Sequence, residues 1–317
     1  MLFSCLESVH AQMRTKAKCQ WSLTVTCSDE AGELLPTRVS RRYPHVRVVV
    51  TQVPLPAMTV HTSVLRESDA RYVWLIDGDT IFLPGAIGLI TSYMERPENS
   101  RVGIVGPQLL NPDGLHARSG YWFPSMRRML VEHSGLGRVI GLDLLRRILP
   151  ASAVPAGVTR ELRERPRALE VDTLPGGCSV LRSRAVKQTG LMPEIAFHRG
   201  AEVTWYRRFR ENGWKVVLLQ GASVIHYGGQ CTGTGSVFRY PESLETALHF
   251  FRTARAPLLF RMFCTSLLAA FGIRAALGWL QRDGAAAAAS RSHAQIAGSG
   301  LTAPVSTIES TAGAHSG

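Results

Sequence analysis

Apolar and polar residues alternate along this chain in two kinds of block. Short runs rich in β-branched and aromatic residues at 46–51, 72–76, 101–105 and 214–219 predict strands. Between them lie stretches with helical spacing, of which 85–93, opened by Pro84 and Gly85, is the clearest. Strands alternating with helices up to about residue 232 predict an α/β fold, with a doubly wound, mostly parallel sheet flanked by helices. Ligands of such sheets bind beyond the carboxyl ends of the strands.

The pattern changes after residue 243. From there to about 282 the chain reads as helix, divided by Pro257, and 258–280 is strongly apolar apart from Arg261 and Arg274. A membrane span needs roughly 20 apolar residues with few or no charges, so two arginines inside the run argue against simple spanning. Two arrangements remain open. The helices lie in a membrane interface with the arginines snorkelling, or they form a soluble pair packed on the domain. An alanine run at 285–289 followed by Ser, Gly and Thr predicts a disordered tail. The expected organisation is therefore a domain over 1–240, C-terminal helices over 241–283 and a tail over 284–317.

Composition narrows the partners. At 317 residues with 45% hydrophobic and 19% charged positions, the chain is neither disordered nor a polytopic membrane protein. Its formal net charge is +12, and all but four of the 36 basic residues (Lys16, Lys18, Lys187, Lys215) are arginine. That bias reflects either a GC-rich genome or attraction to phosphates in a nucleotide, a lipid carrier or an anionic membrane surface. The arginines are spread out, with no zinc-finger or RNA-binding aromatic motif, so nucleic acid is not an expected partner. Six scattered cysteines show no metal-ligand spacing and are expected to be reduced. Glu7 and His10 interrupt the apolar start, so the N-terminus does not read as a signal peptide. A cytoplasmic protein is the expectation, peripheral at the inner face of the plasma membrane if the C-terminal helices lie in its interface.

The chemistry concentrates at Asp77-Gly78-Asp79, where an apolar strand runs into two carboxylates and then into Pro84-Gly85. Carboxylates at the end of a buried strand can hold a divalent cation, Mg or Mn, that neutralises a diphosphate. The plainer reading is an aspartate capping the next helix. The surroundings decide between them. The strand, acidic pair and Pro-Gly at 72–85 resemble the family 2 glycosyltransferases, in particular the rhamnosyltransferase-like branch. The strand and loop at 102–114, Tyr121-Trp122-Phe123-Pro124-Ser125 and the Asp172 to Gly177 loop are similar to that family in order and spacing. So are Gly213-Trp214 and His226-Tyr227-Gly228-Gly229, and the resemblance covers roughly residues 2 to 232.

The resemblance implies a GT-A fold and an inverting transfer of a sugar from a nucleoside diphosphate, dTDP-rhamnose or a UDP-hexose. The acceptor implied is lipid-linked or a cell-envelope glycan. Asp77, Asp79 and His226 take the family's metal and diphosphate positions, with Ser28, Asp29 and Asp77 on the donor side. Gly176, Gly177, Trp205 and Arg208 fall on the acceptor and sugar side. Glu202 stands where the family carries its catalytic aspartate, in a segment where Ala201 and Thr204 replace the flanking acids. Such a base works best with a pKa raised toward neutrality. Its plain alternative is a solvated glutamate at a helix start.

The donor half departs from the family pattern. The strand expected before residues 2–9 is absent, and 26–32 keeps one serine and one aspartate of a nucleoside-reading loop. Residues 54–61 replace an asparagine-rich loop. A truncated start or a diverged relative are the two explanations. The competing function is a non-catalytic binding or scaffold protein of glycosyltransferase ancestry. A nucleotidyltransferase would need a glycine-rich basic loop that the chain lacks.

Overall fold

The computed structural model describes residues 1–13, 20–28, 34–51, 57–126, 129–130, 167–175, 177–192, 201–228, 244–254, 257–280, 293–295 and 297–298. The chain forms two compact units, Met1–Phe123 with Ser152–Tyr240, and Pro124–Ala151 with Pro241–Gly317.

The first unit begins with helix α1 (Leu2–Met13), followed by β1 (Thr24–Ser28), α2 (Leu34–Arg42), β2 (Arg47–Thr51) and α3 (Ala57–Glu67). Then come β3 (Tyr72–Ile76), β4 (Thr80–Phe82), α4 (Ala86–Glu95), β5 (Val102–Leu110), β6 (Arg167–Val171) and β7 (Cys178–Arg182). Helices α5 (Ser183–Thr189) and α6 (Ala201–Glu211) precede the long β8 (Lys215–His226). Strands β1 and β2 pair in parallel as a two-stranded sheet. The larger sheet runs β3-β7-β5-β8-β4, with β6 also on β8.

The expected α/β architecture holds, but the larger sheet is mixed rather than mostly parallel. Among the described residues only β5 and β8 pair in parallel there; β3–β7, β5–β7, β4–β8 and β6–β8 are antiparallel. A parallel pair needs a crossover of about a dozen residues or more. The stretch between β5 and β8 supplies one, while β3, β4, β6 and β7 each meet partners that run the other way.

Residue parity along the strands builds two cores. Ile104, Leu181, Val216 and Leu218 face Ala185, Val186, Trp205 and Phe209 of α5 and α6. Their neighbours Val105, Val180, Val217 and Leu219 face Ile87, Ile90 and Met94 of α4 and Val9 of α1. Because both faces are covered, all nine residues of β5 are buried. A smaller cluster of Leu6, Val25, Val39, Tyr43 and Val46 holds α1 and α2 to β1 and the start of β2.

Arg182, at the end of β7, is 8% exposed yet fully engaged. Its guanidinium donates to the carbonyls of Val102 (2.8 Å), Met94 (2.8 Å) and Asn99 (3.1 Å) and to the Tyr72 hydroxyl (3.1 Å). It also lies 5.2 Å from the Tyr72 ring centroid. Replacing it by leucine orphans several buried acceptors at once. Arg182→Leu is expected to lower unfolding stability by about 3 kcal/mol, read from the urea midpoint.

Burial on α3 pushes the His61 imidazole down to about 4. Above the ordinary histidine value both folded and unfolded chains are neutral there. As pH falls from about 6.5 toward 4 the unfolded chain takes up a proton that the folded chain refuses, so stability is lost across that window. His61→Gln should flatten this acid limb by roughly 1–2 kcal/mol, after allowance for partial exposure, in denaturation series at pH 7 and pH 4.5.

In the second unit, α7 (Leu244–Ala254) packs on α8 (Pro257–Leu280) through Phe251 and Phe263, ring centroids 5.0 Å apart. Phe260, Cys264, Leu267 and Phe271 continue the buried stripe of α8. Leu258, Leu259, Met262 and Ile273 are exposed. Among the described residues no helix is long and apolar enough to cross a membrane. Within 284–317 the described residues 293–295 and 297–298 are helical, with His293 stacked on Phe271 and Ala297 buried.

Candidate functional site

Strand β3 is buried on alternate positions and stops at Ile76, where the sequence turns polar. The backbone N–H of Asp77 then donates to the Gly177 carbonyl (2.8 Å), tying the turn to the start of β7. Thr80 closes the turn, its hydroxyl donating to the Asp77 carbonyl (2.7 Å). Strand β4 pairs with the far end of β8, Thr80 opposite His226. That ladder brings the histidine to the two aspartates. Asp79 is 3% exposed, and the Tyr227 N–H donates to its carbonyl (3.1 Å).

The His226 Nε2 lies 3.3 Å from Asp79 Oδ1 and 3.8 Å from Asp77 Oδ2. One donor atom from each of the three side chains falls within 4.8 Å of the others. The hydrogen bond to Asp79 holds the His226 imidazole above its ordinary range, against the opposing effect of burial. Burial raises the Asp77 carboxyl, and the charge of Asp79 adds to that, while His226 opposes it. Two carboxylates forced together beside one imidazole form an electrostatically expensive cluster. Two carboxylate oxygens and one imidazole nitrogen, with the remaining positions open, fit Mg or Mn in octahedral coordination.

Gly177 is fixed by this cluster. Its φ is +106°, and a Cβ there would come within 3.2 Å of the His226 ring. The close approach that this glycine permits is thus to the histidine. Below the turn, the buried thiol of Cys5 is 3.8 Å from the Asp77 carbonyl and 3.7 Å from the Thr80 hydroxyl, and burial raises it. Burial likewise raises the Cys178 thiol. Among the described residues, Cys5, Cys27, Cys178 and Cys264 are free thiols.

The remaining expected site residues fall elsewhere. Ser28 ends β1 opposite Thr51, while Asp29 and Gly176 lie outside the described residues. Glu202 occupies the first turn of α6 and is half-buried, as is Arg208 on the same helix. Trp205 corrects the sequence reading. It is 2% exposed, its Nε1 donates to the Gly190 carbonyl (2.9 Å), and its ring stands edge-on to Phe209, 4.9 Å between centroids. No ring face is left for a sugar; Trp205 fastens α6 to the core. Sequence reading also passed over Thr80, Cys5, Ser8 and Gln12, although the last three share one face of α1.

A cavity of about 350 Å³ bounded by Trp122, Asp172, Arg210 and Trp214 takes in none of the three convergent side chains. Both carboxylates that line it are engaged: Asp172 accepts from the Phe123 N–H (2.8 Å) and pairs with Arg210, and Glu170 pairs with Lys215 (3.0 Å). The chemistry gathers at the open turn instead.

The chain is 28% identical over 209 residues to N-acetylglucosaminyl-diphospho-decaprenol L-rhamnosyltransferase from two strains of Mycobacterium tuberculosis. The match covers 62% of this chain and 64% of those relatives, so it spans less than two thirds of their length. Among solved structures the fold is similar to GalNAc-T7 crystallised with UDP, GalNAc and Mn2+, with a TM-score of 0.52 at 12% identity. That likeness covers 79% of this chain and 45% of the other. Residues 2–247 match the family described as "Glycosyltransferase like family 2", and the chain belongs to that family.

Proposed function

We propose that this protein is an inverting glycosyltransferase that moves a sugar from a nucleoside diphosphate to a lipid-linked or cell-envelope glycan acceptor. The observation that carries the reading is the convergence of Asp77, Asp79 and His226 at the end of β3. A divalent cation held there, Mn or Mg, would supply charge neutralisation for a leaving diphosphate. The name of the mycobacterial relatives supports L-rhamnose as the sugar and a polyprenyl diphosphate as the acceptor carrier, which makes dTDP-rhamnose the first donor to try and a UDP-hexose the second. Ser28 and Asp29 are assigned to the nucleoside side, Gly176 and Arg208 to the sugar and acceptor side, and Gly177 to the seat of the His226 ring.

Glu202 is the proposed general base. Its position in the first turn of a helix anchored by Trp205 and Phe209 gives it a fixed backbone, which a base needs to meet one hydroxyl. A membrane-bound acceptor also accounts for the exposed Leu258, Leu259 and Met262 beside Arg261 on α8, a face suited to lying in a lipid interface on the cytoplasmic side.

The test is a thermal-shift titration with UDP and dTDP, with and without Mn2+ or Mg2+. A ligand that binds only the folded state raises apparent stability by mass action. A metal-dependent rise of several degrees, lost in Asp77→Ala, supports the donor pocket. No shift with either nucleotide, from a protein that melts cooperatively, would leave a non-catalytic binding protein as the better account.

A further inference from the structure

Helix α1 runs along the 77–87 segment and touches it in order. The Cδ1 of Leu2 is 3.4 Å from where a Cβ on Gly78 would stand, and Cys5 reaches Asp77 and Thr80. Ser8 Oγ accepts the Phe82 N–H (3.1 Å) while donating to the Cys5 carbonyl (2.8 Å). Gln12 Nε2 donates to the carbonyls of Phe82 (3.3 Å) and Leu83 (3.0 Å), and its Oε1 accepts the Ile87 N–H (3.1 Å). Positions 2, 5, 8 and 12 lie on one helical face, so a single rigid element meets the whole segment.

These bonds supply what the local backbone lacks. Strand β4 has three residues and pairs with β8 on one edge. Its other edge would present the Phe82 N–H and carbonyl unpaired, and Ser8 and Gln12 take them up in place of a neighbouring strand. Helix α4 has Gly85 at its N-cap, with no side-chain hydrogen bond from the cap itself. Gln12 receives the Ile87 N–H from a distant helix and so serves as that cap.

We infer that Ser8 and Gln12 are positioning residues for the metal turn, holding β4 so that Asp79 and Asp77 keep their separation from His226. The inference rests on the metal reading proposed above. Asp79 sits one residue before β4, its carbonyl accepting the Tyr227 N–H just past β8, so fraying of β4 displaces its carboxylate directly. Groups that orient metal ligands typically govern metal affinity by about 10–100-fold.

The experiment is Mn2+ binding, read as the loss of the free-ion signal in electron paramagnetic resonance, on the purified full chain. Gln12→Met keeps the side-chain volume and removes three bonds; it is expected to raise the Mn2+ Kd about tenfold. Ser8→Ala should weaken binding by about threefold or more, and Ser8→Thr, which keeps the hydroxyl, should restore it. Leu6→Ala serves as the control, because Leu6 packs with Val25, Val39, Tyr43 and Val46. It should lower the melting temperature without changing the Kd of the folded protein. If Gln12→Met does not fold, the Ser8 pair carries the test. Wild-type binding with an unchanged Kd in Ser8→Ala and Gln12→Met overturns the brace and leaves the metal reading standing. A wild-type chain that leaves Mn2+ free sinks both.

Discussion

Asp79→Asn is expected to reduce metal-dependent sugar transfer by about 10³-fold or more while the metal-free protein stays folded. Asp79 is the most buried member of the trio, and its Oδ1 is closest to His226. Replacing one carboxylate oxygen by an amide N–H removes a charged donor atom from a three-donor set. It also places a hydrogen-bond donor where a cation should sit. Metal stabilisation of a leaving group contributes several kcal/mol to transition-state binding, and about 4 kcal/mol corresponds to three orders of magnitude in rate. Stability should change little. In the absence of metal the two carboxylates repel, and the charge of Asp79 is one of the influences that raise the Asp77 carboxyl. The asparagine relieves that repulsion and keeps the side-chain shape, but loses the charged hydrogen bond to His226, so the two effects offset. Melting in chelator within about 2 °C of wild type, together with lost Mn2+ binding, is the expected pair of results. Retention of a tenth or more of the wild-type rate would remove Asp79 from the metal site.

Glu202→Gln should lower kcat by about 10²–10⁴-fold and leave the donor KM and Mn2+ affinity near their wild-type values. The change is isosteric and removes only the ability to take a proton. Tyr206, one turn further along α6, is buried, and its hydroxyl is pushed up by burial first and by the Glu202 charge second. Neutralising Glu202 should therefore not unfold α6, whose hold on the core comes from Trp205 and Phe209. The informative measurement is steady-state turnover beside direct donor binding on the same preparation. Equal rates in variant and parent would return Glu202 to the role of a solvated helix-start glutamate.

The parts of the site read from sequence were those with local signatures. An apolar run ending in Asp77-Gly78-Asp79, then Pro84-Gly85, encodes strand, turn and helix within 15 residues, and β3 and α4 occur there. The His226 strand was equally legible, though β8 extends to 12 residues because it serves β5, β6 and β4 along its length. Strand β4 was not legible. Three residues carry no periodicity, and the partner that makes Thr80–Phe82 a strand is distant in sequence. Trp205 failed as a sugar contact for a related reason: residue type shows that an aromatic is present, not which of its faces is already covered.

Sequence by itself determined the alternation of apolar strands and helices, the acidic turn with its histidine, and the family to which those elements belong. Periodicity, turn chemistry and motif order are local or sequential properties, so a one-dimensional reading captures them. Tertiary structure decided the mixed pairing of the sheet, the Thr80–His226 register that closes the three donor groups to within 4.8 Å, and the seating of α1 along the turn. Those depend on which distant backbone edges find each other. That choice is settled by hydrogen-bond satisfaction and the burial of two sheet faces at once.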